Sequence, residues 1–94
     1  MMMVYVDKLV LYPSSPKWKY GAACHLFADT EDELHAFASR IGLRRAWFQE
    51  HSILRHYDLT SKRRQKALEY GATEVLDEFV VSQIRYRRAQ RNHF

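Results

Sequence analysis

Residues 24–42, CHLFADTEDELHAFASRIG, decide the fold. Their first five residues belong to a run, 22–28, that is apolar apart from His25 and reads as a strand. Thr30, with Glu33 three residues on, is a capping box and marks a helix start. Leu34, Phe37, Ala38 and Ile41 then recur at i, i+3, i+4 and i+7, one buried helical stripe. Gly42 stops the helix as a left-handed cap. A strand, a tight acidic turn and an amphipathic helix follow one another within a single stretch.

Working outward, residues 3–7 alternate Val4 and Val6 against Tyr5 and Asp7, the period of a strand. Residues 9–12 extend it or open a second apolar run. Pro13, Ser14, Ser15 and Pro16 punctuate a loop that reaches Gly21 and carries Lys17, Trp18, Lys19 and Tyr20. Such a loop stacks on a base or, more simply, plugs the core with its Trp. On the other side, residues 46–49 read as a strand and 50–55 as a loop. His56, Tyr57 and Asp58 lead into a second helix over 61–70, closed by Gly71, with Ala67 and Leu68 turned inward. Residues 72–76 resemble a fourth strand. Asp77 caps a last helix with Val80, Val81 and Ile84 on its apolar side. The expectation is an α/β protein, one small domain over residues 1–94. It has a three- to four-stranded, mainly parallel or mixed sheet packed with about three helices. The helix and tail over 77–94 are basic.

Length and composition suit a folded domain: 94 residues, 47% hydrophobic and 14% aromatic, with few Gly and Pro. Disorder and low complexity are excluded on that basis. Cys24 is the single cysteine, so an intramolecular disulfide is ruled out and nothing argues for secretion. No run is long enough for a membrane span, and MMMVYVDKLVLY lacks a basic leader, which places the chain in the cytoplasm. The triple Met leaves the true start open. Net charge is +4, and residues 61–94 hold eight Lys and Arg against four acids. A basic end fits an anionic partner, nucleic acid or a phosphorylated ligand, and fits a solvated surface equally well.

Two constellations could carry chemistry. His25, Asp29, His35, His56 and Asp58, with Asp7 as a sixth candidate, form a His/carboxylate set suited to Zn, Mn or Fe and to activating water. In that reading His56, Asp58 and His35 are the catalytic candidates. The spacing is not that of a metal motif. Glu31 and His35 pair at i,i+4 without a metal, and Asp29 serves as a helix cap. The second constellation is electrostatic. Lys62, Arg63 and Arg64 crowd the first turn of a helix, whose start is already partly positive. A phosphate cradled by backbone N–H groups, Thr60, Ser61, Lys62 and Arg63 explains that placement. His56 would donate to it or act as a general acid, and Tyr57, Trp18 or Trp47 would stack. The plainer account is that Asp58 and Thr60 cap the helix while its cations point into water. The tail Arg85, Arg87, Arg88 and Arg91 complements its own helix dipole and ranks as an accessory contact.

The motifs V-Y-V-D, H-L-F-A-D-T-x-x-E-L-H-x-x-A-x-x-I-G, W-F-Q and H-Y-D-L, then R-x-x-A-L-x-x-G-A, cover about residues 4–72. In them the chain resembles the domain of unknown function 4031 family of small bacterial and tailed-phage proteins. The resemblance implies a cytoplasmic bacterial or phage-encoded protein. It matches Asp7, His25, Asp29, Glu33, His35, Trp47, Gln49, His56, Tyr57 and Asp58 to the family's polar and aromatic positions. Three functions fit the sequence. One is a binding module for a nucleotide or nucleic acid at the start of the second helix. Another is a metal-dependent phosphoesterase or nuclease. The third is a phage-encoded interaction module acting on a host protein.

Overall fold

The computed structural model describes residues 3–11 and 20–91. In chain order its elements are β1 (Val4–Val6), β2 (Val10–Leu11), β3 (Ala22–Ala28) and α1 (Glu31–Arg40), then a short 3₁₀ turn (Arg45–Trp47). There follow β4 (Phe48–Gln49), β5 (His56–Leu59), α2 (Ser61–Glu69), β6 (Thr73–Glu74) and α3 (Asp77–Arg91). The strands form one mixed sheet in the order β4-β5-β3-β1-β6, with β2 also on β3. Among the described residues only β1 and β6 run parallel, and the other ladders are antiparallel.

β3 is the hub. One edge takes β5, with Cys24 opposite Leu59, His25 opposite Asp58 and Leu26 opposite Tyr57. The other edge takes β1 against Leu26–Ala28 and β2 against Ala22 and Ala23. Between those two ladders the N-terminal segment leaves the sheet at Asp7, opposite His25. The Asp7 side chain fills the gap: its Oδ1 accepts from the His25 backbone N–H at 2.6 Å.

Alternation along the strands sends two different sets of side chains to the two faces. One face carries Val4, Val6, Cys24, Leu26, Tyr57 and Leu59, all buried against Leu34, Phe37 and Ile41 around α1 and Ala67 of α2. The opposite face carries a smaller cluster, Tyr5, Phe27 and Leu54, roofed by partly buried Phe79, Val80 and Ile84 of α3. No residue of α3 is fully buried.

Helix ends follow the local chemistry. Thr30 caps α1 by accepting from Glu33 N–H at 3.2 Å. Glu33 in turn accepts from the Thr30 hydroxyl at 2.9 Å and from Met3 N–H at 2.8 Å, which ties the helix start to the first strand. Thr60 caps α2 by accepting from Arg63 N–H at 3.2 Å. Gly42 and Gly71 leave the two helices with φ of +83° and +105°, a region costly for other residues.

Four local expectations shift, one being the run 72–76, of which only Thr73 and Glu74 are strand. Only Phe48 and Gln49 of residues 46–49 are strand, because the chain first makes the 3₁₀ turn at Arg45–Trp47. Asp77 is the first residue of α3 and not its cap, with the Leu76 carbonyl accepting from Phe79 N–H at 3.0 Å. His56, Tyr57 and Asp58 are not a lead-in to a helix but the body of β5.

Candidate metal centre

Strand β5 brings the site together. Because His25 pairs with Asp58 across the β3–β5 ladder, and His56 shares a face with Asp58, the three lie side by side on the α3 side of the sheet. One donor atom from each of His25, His56 and Asp58 lies within 4.8 Å of the other two. The two imidazoles meet edge to face, 4.5 Å between centroids.

Each histidine is held from behind. His25 Nδ1 lies 2.6 Å from Asp7 Oδ2, while the other Asp7 oxygen takes the His25 N–H. A carboxylate only accepts, so Nδ1 carries the hydrogen and Nε2 is left free. His56 Nδ1 lies 2.6 Å from the Leu54 carbonyl oxygen, which fixes the same tautomer. Imidazoles that ligate metals are typically oriented in this way, by a carboxylate or carbonyl on the far nitrogen. His56 Nε2 then sits 3.3 Å from Asp58 Oδ1. In the neutral ring both atoms are acceptors, so a proton or a cation belongs between them. Two donors each about 2.1 Å from a tetrahedral ion are roughly 3.4 Å apart, so this spacing suits an ion.

Burial and charge agree with the geometry. The Asp7 and His56 side chains are only 10% and 12% exposed, whereas His25 at 41% opens to solvent. The bond to Asp7 raises the His25 pKa, opposed by burial and helped by the Asp7 and Asp58 charges. Asp58 is held below the usual carboxylate range by its contact with His56 and then by the charges of His56 and His25, despite burial. Arg64 reaches from α2 to donate through Nε to the Asp7 carbonyl at 3.0 Å, and its NH2 group meets Glu74 at 2.7 Å. One of the three cations expected to crowd the helix start is therefore a brace beneath Asp7. Cys24 lies in the core, where burial, first, and then Asp7 push its thiol up to about 12.

The remaining candidates lie elsewhere. Asp29 accepts from the Tyr5 hydroxyl at 2.8 Å. His35 sits on the opposite face, Nδ1 2.9 Å from the Tyr57 hydroxyl and its ring edge-on to Phe48 at 4.5 Å. Neither joins the three-donor cluster, so the five-residue metal set reduces to His25, His56 and Asp58, with Asp7 behind. Tyr57, expected to stack on a base, is 1% exposed and belongs to the core, because it is the inward residue between His56 and Asp58. His56 faces away from α2 for the same reason, so it does not reach Thr60, Ser61, Lys62 and Arg63 at the helix start. The Thr60 hydroxyl is already engaged as the cap. Trp47 is 37% exposed and lies under the Arg63 guanidinium at 4.9 Å. Trp18 lies outside the described residues. Towards the end of α3, Arg87 donates to the Ala28 carbonyl at 2.7 Å. With Arg55 and Arg91 it faces Asp29, Glu31 and Glu50 across a groove of about 820 Å³, a balanced charge set.

A family model described as "Protein of unknown function (DUF4031)" matches residues 4–91. The chain belongs to that family. No curated protein and no solved structure matches it. In this DUF4031 member, no helix of the described residues is long and apolar enough to cross a membrane.

Sequence reasoning placed Asp7 among candidate ligands, whereas the structure gives it a supporting role behind His25. Residue type does not disclose the contacts of Leu54, which acts through a backbone carbonyl, or the brace that Arg64 makes from a distant helix. The signal for β5 was present. His56, Tyr57, Asp58 and Leu59 alternate polar and apolar over four residues, the period of a strand with one wet face.

Proposed function

We propose that the chain is a divalent-metal protein that hydrolyses a phosphate ester, with His25, His56 and Asp58 as the ligands. The observation that carries the reading is the trio itself: three donors within 4.8 Å, two of them imidazoles whose Nδ1 atoms are tied off. Three protein ligands leave a position open, the arrangement of catalytic sites as opposed to closed structural ones. An ion there would polarise a phosphoryl oxygen and make its bound water acidic. Asp7 holds the His25 ring in register, and the Leu54 carbonyl does the same for His56. Two histidines and a carboxylate also serve iron oxygen chemistry. The choice of a phosphate ester rests on the chemistry an ion with an open position would supply to a phosphoryl group. The single, free cysteine suits a reducing cytoplasmic setting.

The test is elemental analysis of untagged protein together with titration of Zn, Mn and Fe(II) into chelator-treated protein. It is followed by an assay on bis-(p-nitrophenyl) phosphate and short oligonucleotides. One ion per chain and metal-dependent cleavage are expected, both lost in His25→Ala and His56→Ala. Retention of the ion by both variants, or an inert metal-loaded protein, would overturn the reading.

A further inference from the structure

The surface made by the end of α1, the following turn and α2 carries charge that the metal centre does not use. Arg40, Arg44, Arg45, Lys62, Arg63 and Lys66 all lie there. Among the described residues none of the six forms an ion pair, although Arg55 and Arg64 of the same chain meet carboxylates at 2.6 and 2.7 Å. On α2, Lys62 and Lys66 stand at i,i+4 and repel each other, and the first turn holds no acid.

Aromatic rings interleave with these cations. Arg63 lies 4.9 Å from the centroid of Trp47. Arg40 and Lys66 approach Tyr70 at 5.7 and 5.8 Å, and Arg45 approaches Phe48 at 5.0 Å. Trp47 and Tyr70 are 37% and 43% exposed, so both rings remain open to a partner. Lys62, Arg63, Lys66 and Tyr70 border a groove of about 1010 Å³ in which Glu69 is the acid. Trp47 meets Arg63, Arg63 and Lys66 line one groove with Tyr70, and Tyr70 in turn meets Lys66 and Arg40, which joins these groups in one surface. It differs in kind from the charge-balanced groove beside α3.

We infer that this surface binds single-stranded nucleic acid, with phosphates along the Lys62–Lys66 side of α2 and unpaired bases against Trp47 and Tyr70. Cations alone would suit any polyanion. Exposed rings flanked by cations select one whose flat faces are free to stack, which excludes an acidic peptide and disfavours a closed duplex. The surface lies on the α1–α2 side, whereas His25, His56 and Asp58 face the α3 side, so binding here does not require the metal.

The measurement is fluorescence anisotropy of a labelled oligothymidylate of about 15 nucleotides, titrated with the whole chain in excess chelator. If all six cations meet phosphates, log Kd changes with log salt at a slope of roughly 4, so raising salt from about 50 to 200 mM weakens binding about 300-fold. The double variant Arg63→Ala, Lys66→Ala lowers that slope by roughly 1.4. Trp47→Phe leaves affinity within a few-fold, whereas Trp47→Ala, checked for folding by circular dichroism, weakens it roughly 5- to 150-fold at an unchanged slope. Arg85→Ala with Arg88→Ala, on α3, leaves affinity unchanged. Three results would overturn the inference: no binding at the lower salt, tighter binding of the matched duplex, or indifference to the α2 and Trp47 changes. Because chelator is present throughout, failure here leaves the metal reading standing, and loss of the metal reading leaves this one standing.

Discussion

The two faces of β3 are built from alternating residues of one heptapeptide, yet they do opposite work. Cys24, Leu26 and Ala28 point into a dry core closed by α1 and α2. His25 and Phe27 point the other way, Phe27 into a small aromatic cluster under α3 and His25 into a polar site. The first face is packed mainly with apolar partners, with His35 a polar exception: its Nδ1 meets the Tyr57 hydroxyl, and its buried Nε2 makes no hydrogen bond among the described residues. The second is roofed only in part, and its uncovered portion holds the groups whose polarity would be costly in a core. Apolar packing is concentrated on one side of the sheet, and the polar groups gather on the other.

That division can be broken most severely from the dry side. Phe37→Ala, at a site 2% exposed, is expected to cost about 3–5 kcal/mol, read from urea unfolding without added metal. Ile84→Ala on the α3 side should cost only about 1–2 kcal/mol, because that side chain is partly exposed. Equal losses would erase the asymmetry.

On the polar side the ordering should reverse, with little change in fold and a large change in ion binding. His56→Ala is expected to weaken metal affinity at least roughly 100-fold, and Asp7→Asn, one bond further out, about 10- to 100-fold. Calorimetric titration of the ion measures both. The pH dependence carries a sign that can be checked. A histidine must be neutral to ligate, and Asp7 raises the His25 pKa, so affinity should climb with pH through a range above the ordinary value near 6.5. Asp7→Asn should move that range downward.

The smallest effect sits at the aromatic cluster under α3. Burial, first, and the bond to Asp29 push the Tyr5 phenol up to about 12. A raised folded pKa means that the stabilisation is complete below the ordinary value near 10 and is lost as pH rises towards 12. Tyr5→Phe should abolish this alkaline loss and cost about 0.5–1.5 kcal/mol at neutral pH, both measurable by thermal melts across pH.

Much of this architecture is legible from the residues. The strand over 22–28, the Thr30 cap, the Leu34–Ile41 stripe and the stops at Gly42 and Gly71 all rest on contacts a few residues apart, and local sequence encodes them. β5 was harder to read for a physical reason. Its outward residues, His56 and Asp58, are polar, so they look like loop, and the partner that makes them a strand lies 33 residues away between His25 and Asp58. The candidate cluster shows the same limit. Residue type nominated five candidate ligands, but strand parity turns His25, His56 and Asp58 away from α1, the helix that carries His35. The backing of His56 by a backbone carbonyl leaves no trace in residue identity.

The ladder gap at Asp7 has a consequence for how folding and binding depend on each other. The donors come from two strands, and the supporting carboxylate comes from a third segment that leaves the sheet to provide it. An unfolded chain cannot gather these groups, so an ion that prefers the native state would act as a reversible staple across the β3–β5 seam. By mass action, ion at about 100 times its dissociation constant would add roughly 2.7 kcal/mol to the unfolding free energy. The melting temperature would then report ion supply, and the fold's persistence would be set partly by its surroundings as well as by its core.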